Sequence, residues 1–115
     1  MGTRLSALGQ VPLFEGGDVR QTLEDLVVLG RGLEESGHHR FWLAEHHGTG
    51  SFLSSAPDLL MMHVLDATSR IRVGPGDVVV MSYGSLQTAE RFATRAALHP
   101  GRVDVGLGRA PGGAP

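Results

Sequence analysis

The sequence predicts an α/β fold with parallel strands, and three observations carry that expectation. Short apolar runs alternate with longer segments of helical period, in the order β-α-β-α-β-α-β. Each intervening segment is long enough to be a crossover, which parallel neighbours need and a hairpin does not. Glycine, 17 of 115 residues, falls in turns and at strand ends rather than in a repeat, as many short connections require.

Leu5 to Leu8 is a short apolar run between polar and glycine residues and reads as the first strand. Gly9 to Gly17 is loop, broken by Pro12 and the Gly16-Gly17 pair. Asp18 then suits an N-cap, with Gln21 three residues on in capping-box spacing. Val19, Leu23, Leu26, Val27, Gly30 and Leu33 recur at helical spacing, and Gly37 supplies the stop. Arg40 to Ala44 is the second strand and Glu45 to Ser55 a polar loop. Pro57 opens a second helix that runs to about Thr68, with Leu59 and Leu60 expected in the core. Ile71 and Val73 start a third strand, which Val78 to Met81 resume after Gly74-Pro75-Gly76-Asp77. Read alone, that tetrapeptide also fits a hairpin turn between two short strands. Ser85 is the expected cap of a third helix, with Phe92 in its core stripe, and His99-Pro100-Gly101 ends it. Val103, Val105 and Leu107 alternate with Asp104, Gly106 and Gly108 in a fourth strand. Such alternation suits a barrel interior filled by side-chain layers. Periodicity also allows a doubly wound sheet, although no Gly-x-Gly-x-x-Gly opens the first helix.

Composition narrows the function. A formal net charge of −2 provides no basic field, so nucleic acid is a poor partner. No apolar run approaches the ~20 residues that cross a bilayer, so no membrane is expected. The absence of cysteine excludes disulfides, thiolate zinc sites and cysteine nucleophiles within this sequence. The expectation is a cytoplasmic protein acting on small molecules.

In a parallel α/β fold, chemistry collects at the carboxyl ends of the strands. That rule selects Gly9-Gln10, Glu45-His46-His47, Gly76 to Met81 and Gly108-Arg109. Glu45-His46-His47 is the densest in titratable groups, and an imidazole serves as acid, base or hydrogen-bond donor near neutral pH. A pair of solvated loop histidines is the plain alternative. A metal site is weaker, because no third ligand stands at a suitable spacing. Trp42 reads as packing before pocket lining.

Phe41-Trp42-Leu43-Ala44-Glu45-His46-His47 resembles the second-strand motif of the bacterial-luciferase-like flavin monooxygenases, and Ser54-Ser55-Ala56-Pro57 follows in the same order. Ala67 to Gly74 is similar to that family's entry into strand three, and Leu98 to Gly112 to its strand four and exit. The resemblance implies the N-terminal half of a (β/α)8 TIM barrel, β1-α1-β2-α2-β3-α3-β4, as one partial domain over residues 1–115 with a flexible tail from about residue 110. It implies an oxidoreductase, a flavoprotein using reduced FMN and molecular oxygen through a flavin peroxide to oxygenate a small organic substrate such as an aldehyde. A deazaflavin is the alternative cofactor, and a flavin reductase the implied supplier of reduced flavin. By the same resemblance His46 is catalytic. Glu45 and Glu90 lie near the flavin, Gly76-Asp77 form a strand-three bulge with a cis peptide against the ring, and Gly108 and Arg109 meet the flavin phosphate. Left to themselves, Glu90 reads as a solvated helix residue and Arg109 as a surface arginine.

Two departures, Asp77 where relatives carry small residues and Ser82-Tyr83-Gly84-Ser85 in place of an Asn-His-Ser-Pro type of turn, favour the alternative of a non-catalytic half barrel or accessory subunit kept for assembly. Four strands would leave open edges and an apolar barrel face. An oligomer or a complementing chain is therefore expected, with poor monooxygenase activity from the isolated segment.

Overall fold

A computed structural model describes residues 3–76, 78–79 and 84–108. The elements are β1 (Ser6–Gly9), α1 (Val19–Glu35), β2 (Arg40–Leu43), α2 (Pro57–Ala67), β3 (Arg72–Pro75), β4 (Val78–Val79), α3 (Ser85–Leu98) and β5 (Leu107–Gly108).

Local chemistry sets the helix ends. The Asp18 carboxylate accepts the Gln21 backbone N–H at 3.0 Å and opens α1. The reciprocal half of the capping box is not made, because Gln21 Nε2 donates one turn onward to Asp25 Oδ1 at 2.9 Å. At the other end the His38 N–H reaches Leu33 O at 3.0 Å and the Gly37 N–H reaches Glu34 O at 3.1 Å. Gly37 sits at φ 82°, completing a Schellman stop. Pro57 occupies the first turn of α2, where its missing N–H costs nothing. Ser85 corrects its expectation: it lies inside the first turn of α3, and Gly84 at φ 79° holds the cap position. The glycine makes the turn into the helix, so the serine arrives one residue too late to cap. Leu59 is corrected as well. Pro57, Met61, Val64 and Leu65 form the buried stripe of α2, which leaves Leu59 on the far side, 67% exposed. Leu60 packs against the core.

β1 pairs with β2 and β2 with β3, all parallel, so Ala7, Phe41 and Val73 form one row across the sheet. A parallel bridge from Val73 to Val103 extends that row. β4 pairs with β5, again parallel, through Val78–Leu107 and Val79–Gly108. A hairpin at Gly74 to Asp77 would pair β3 with β4 antiparallel, and among the described residues no such pair forms. Strand order therefore follows chain order without reversal, which keeps all the crossovers on one face. A doubly wound sheet reverses direction and covers both faces. This is the open half of a β/α barrel. The core lies on the helix side, where Phe41, Leu43 and Val73 meet Leu26, Met61, Val64 and Leu65. On the other side Leu8 is 55% exposed.

The lower end of the barrel face is ionic. Arg40 Nε and Arg72 Nε converge on Asp104 Oδ2 at 2.7 and 2.9 Å, and Arg72 Nη2 reaches Oδ1 at 2.7 Å. Burial alone would raise the Asp104 pKa, but the hydrogen bonds from Arg72 and Arg40 and their charges hold it below the usual carboxylate range.

One carboxylate ties α1 to the start of β3. Glu34 accepts backbone N–H groups from Ser69 at 3.0 Å, Arg70 at 2.5 Å and Ile71 at 2.8 Å. Its slight burial favours the neutral acid, yet the N–H groups of Ile71, Arg70 and Ser69, with the Arg70 charge, lower its pKa from 4.5 to about 2. The folded state binds the carboxylate form, so this stabilisation is present above about 4.5 and lost as pH falls towards about 2. Glu34→Gln is expected to cost about 1 kcal/mol at neutral pH, discounted for solvent screening. Urea unfolding between pH 6 and about 2.5 should show a shallower acid slope for the variant than for the parent. Parallel slopes would show that Glu34 does not carry this linkage.

Candidate functional site

Successive side chains of a strand point to opposite faces, and this decides what reaches the upper end of the sheet. Phe41 and Leu43 are fully buried on the helix side. The pairing runs one residue past β2, because the Ala44 N–H donates to Gly9 O at 3.0 Å. Glu45 continues the helix-facing set. Its side chain is 1% exposed and lines a small cavity with Pro57, Pro75, Thr88, Phe92 and Arg95. His46 turns to the other side, where its Nε2 lies 2.5 Å from Gln10 Oε1 at the exit of β1.

The neighbouring loop holds this arrangement. Pro12 and Phe52 form an antiparallel bridge, flanked by N–H bonds from Leu13 to Ser51 O at 2.7 Å and from Leu53 to Val11 O at 2.8 Å. The loops after β1 and β2 are thereby stitched together. Phe52 is placed with its ring centroid 4.5 Å from that of His46 at 29°. The His46 N–H donates to Ser54 O at 2.9 Å, and the Ser54 hydroxyl donates back to Ala44 O. Val11, next to Gln10, has φ 51°. That is a strained conformation for a β-branched residue, of a kind that gathers at functional sites.

His47 Nε2 meets Glu45 Oε2 at 2.6 Å. Glu45 thus acts behind the rim, on its histidine neighbour. With the Gln10 amide oxygen as acceptor, neutral His46 carries its proton on Nε2 and leaves Nδ1 as the basic nitrogen. The chemistry available is proton exchange or hydrogen bonding at the barrel mouth.

The other sequence-selected residues fall as follows. Gly76 follows β3 at the same end, its N–H donating to Leu43 O at 2.6 Å. A Cβ there would stand 3.3 Å from Leu8 Cδ1, on the barrel side. Gly108 pairs with Val79 in β5. Glu90 is exposed on α3 and is not among the residues lining the cavity beside Glu45. Asp77 and Arg109 lie outside the described residues, as does the peptide bond between Gly76 and Asp77. Gln10 belongs to the strand exit Gly9-Gln10 that the sequence selects, without a role assigned to it, whereas Phe52 and Arg95 are not selected. Gln10 carried a signal, since it directly follows the first strand, whereas Phe52 and Arg95 carried none. Among the described residues no group of three or more histidine and acidic side chains is placed to hold a metal.

A family model described as luciferase-like monooxygenase matches residues 4–115. The chain is 44% identical over 110 residues to N-acetyl-S-alkylcysteine monooxygenase of Bacillus subtilis (strain 168), covering 96% of this chain and 33% of that protein. Among solved structures, apo-MsnO8 superposes with a TM-score of 0.90 at 39% identity, over 95% of this chain and 33% of its own. The FMN complex of the oxygenating constituent of 3,6-diketocamphane monooxygenase from Pseudomonas putida, at 16% identity and TM-score 0.87, shares the fold over 96% of this chain and 30% of its own. The chain spans about a third of the length of the curated relatives it matches.

Removing the Gln10 amide should release the imidazole of His46. In Gln10→Ala, long-range ¹H–¹⁵N spectra of neutral His46 are expected to change from one tautomer, protonated on Nε2, to a mixture of both. An unchanged single tautomer would show that Gln10 does not set it.

Proposed function

Because the chain belongs to the luciferase-like monooxygenase family, we propose that it is the N-terminal portion of a flavin-dependent monooxygenase that binds reduced FMN across the barrel mouth. The observation that carries this reading is His46, held at the rim by Gln10 and Phe52 on the face opposite the helices.

The surroundings fit a flavin. The barrel-side row ends in Gly74 and Gly76, where Trp42 and Leu8 come so close that a Cβ would stand 2.8 and 3.3 Å from them, so neither position admits a side chain without displacing a neighbour. The carboxylate that follows β2 is turned away and paired with His47, so it does not repel an anionic reduced ring. Bound there, reduced FMN supplies the electrons that activate molecular oxygen for transfer to a small organic substrate such as an aldehyde. His46, through Nδ1, would accept a proton at that centre and, once protonated, return it or donate a hydrogen bond. Phe52 shields it from water on one side, and Glu45 acts through His47. Gly76 and Asp77 would border the ring. Gly108 lets the chain approach the phosphate, and the Arg109 guanidinium binds it through charge and paired donors. Glu90, exposed on α3, would approach the cofactor from that helix. A separate flavin reductase supplies the reduced cofactor.

The open barrel face supports completion by further strands, from a longer chain or a complementing one. Leu8 is solvent-facing, and among the described residues β1 is paired on one edge only.

Anaerobic titration of the full protein with reduced FMN, and in parallel with reduced deazaflavin, tests the reading. The parent is expected to bind reduced FMN. Arg109→Ala should weaken binding about tenfold or more, as loss of a charge-assisted phosphate contact does. His46→Ala should leave affinity within about threefold while turnover falls by about 10²–10⁴. Failure of the parent to bind either cofactor would remove the proposal, and preference for deazaflavin would replace FMN.

A further inference from the structure

The small cavity behind the rim contains two unmet hydrogen-bonding atoms. Glu45 Oε1 and Arg95 Nε are both buried without a hydrogen-bond partner among the described protein atoms, and both residues line the same cavity of about 20 Å³. A buried carboxylate oxygen or guanidinium N–H left unmet is costly, so two in one cavity call for a common solution. That volume is enough for a water molecule.

The rest of each side chain is already committed. Glu45 Oε2 is held by His47 Nε2 at 2.6 Å. The Arg95 guanidinium, with the side chain only 6% exposed, lies 4.1 Å above the Phe92 ring and 3.8 Å from Asp58 Oδ2 through Nη1. Asp58 is also bonded to Arg91. Burial lowers the Arg95 pKa, Asp58 opposes that and Arg91 adds to it. One carboxylate is thus shared between two guanidiniums, and Glu45 is the second anion on the cavity wall.

We propose that Arg95 is a positioning residue for the β2 exit turn, acting on Glu45 Oε1 through one buried water that accepts from Arg95 Nε–H and donates to the carboxylate. The chain Arg95–water–Glu45–His47 then anchors residues 45–47 to α3 from behind, while Gln10 and Phe52 hold His46 from the front. The inference goes beyond the flavin reading and requires no flavin, so either can fail alone.

A high-resolution crystal structure of the full, unsubstituted protein tests the water directly. Density within hydrogen-bond distance of both Arg95 Nε and Glu45 Oε1 is expected, and a cavity without it, or a direct contact between the two side chains, would overturn the water-mediated link. Two variants test the charge coupling. Arg95→Met keeps the stem and removes the donor. It should lower the urea midpoint and bring the His47 Nε2–H proton, slowed in the parent by its carboxylate partner, into solvent exchange at least about tenfold faster. Adding Glu45→Gln to Arg95→Met removes the stranded charge, so the double variant should have a higher midpoint than Arg95→Met alone. If Arg95 only fills space, the two substitutions will be additive and His47 exchange unaltered, and the positioning role is refuted.

Discussion

The two-residue alternation of β2, locked in parallel register between β1 and β3, is the constraint on which the rest depends. The row Ala7–Phe41–Val73 must face the helices, because Phe41 and Val73 are fully buried there. A slip of one residue would turn Phe41 and Leu43 out of the core and bring Trp42 in. Fully burying each such side chain is worth about 1.5–3 kcal/mol, which is large against the few tenths gained by any exposed contact at the rim. Core packing therefore decides the register, and the register decides the site. Once Phe41 and Leu43 face inward, Glu45 follows them and His46 does not.

The two ends of the barrel face divide the work. At the lower end, Arg40 and Arg72 satisfy Asp104, and the Arg40 guanidinium lies 4.9 Å from the Trp42 ring centroid. That cluster joins residues 32 and 64 positions apart in the chain and holds the segment around Val103 and Asp104 against β2 and β3. Gly74 permits the approach there, and Gly106 permits a second one beside Gly76 at the other end. A Cβ at Gly74 would lie 2.8 Å from both Asp104 O and Trp42 Cζ3, and one at Gly106 only 2.6 Å from Gly76 O. At the upper end the polar groups are left partly open to solvent, on loops rather than strands. Such a partition, with stability at the amino ends of the strands and chemistry at the carboxyl ends, is what a barrel wall permits.

Much of this was legible in the sequence, and what was not has a common cause. Asp18, Gly37 and Pro57 act over a few residues, so their local patterns were enough to place helix ends. The alternating order placed His46 and Glu45 at a strand exit, and the collinear motifs placed the whole in a half barrel. Gln10 and His46 are 36 positions apart, Glu34 and Ile71 are 37 apart, and Arg91 and Asp58 are 33 apart. No period or spacing announces such pairs, which exist only after crossovers bring strand ends together. Leu59 and Ser85 were misread for the converse reason. Local propensity suited both as core and cap, and tertiary packing and the Gly84 turn assigned those places to neighbours. Asp77 and Arg109, on which the resemblance leans for cofactor contacts, lie outside the described residues.

Val11 shows how firmly the rim is set. A valine at φ 51° carries a penalty of roughly 1–2 kcal/mol relative to a right-handed or extended conformation. It persists because the residue is bound on several sides at once. Its side chain is buried in the core, its carbonyl accepts the Leu53 N–H, and the bridge between Pro12 and Phe52 begins immediately after it. Relaxing Val11 would break that stitch and move Phe52 away from the His46 ring. It would also swing Gln10, one residue earlier, off its bond to Nε2. The strain is thus maintained by the same contacts that orient the imidazole. His46 is held by contacts already formed between two loops.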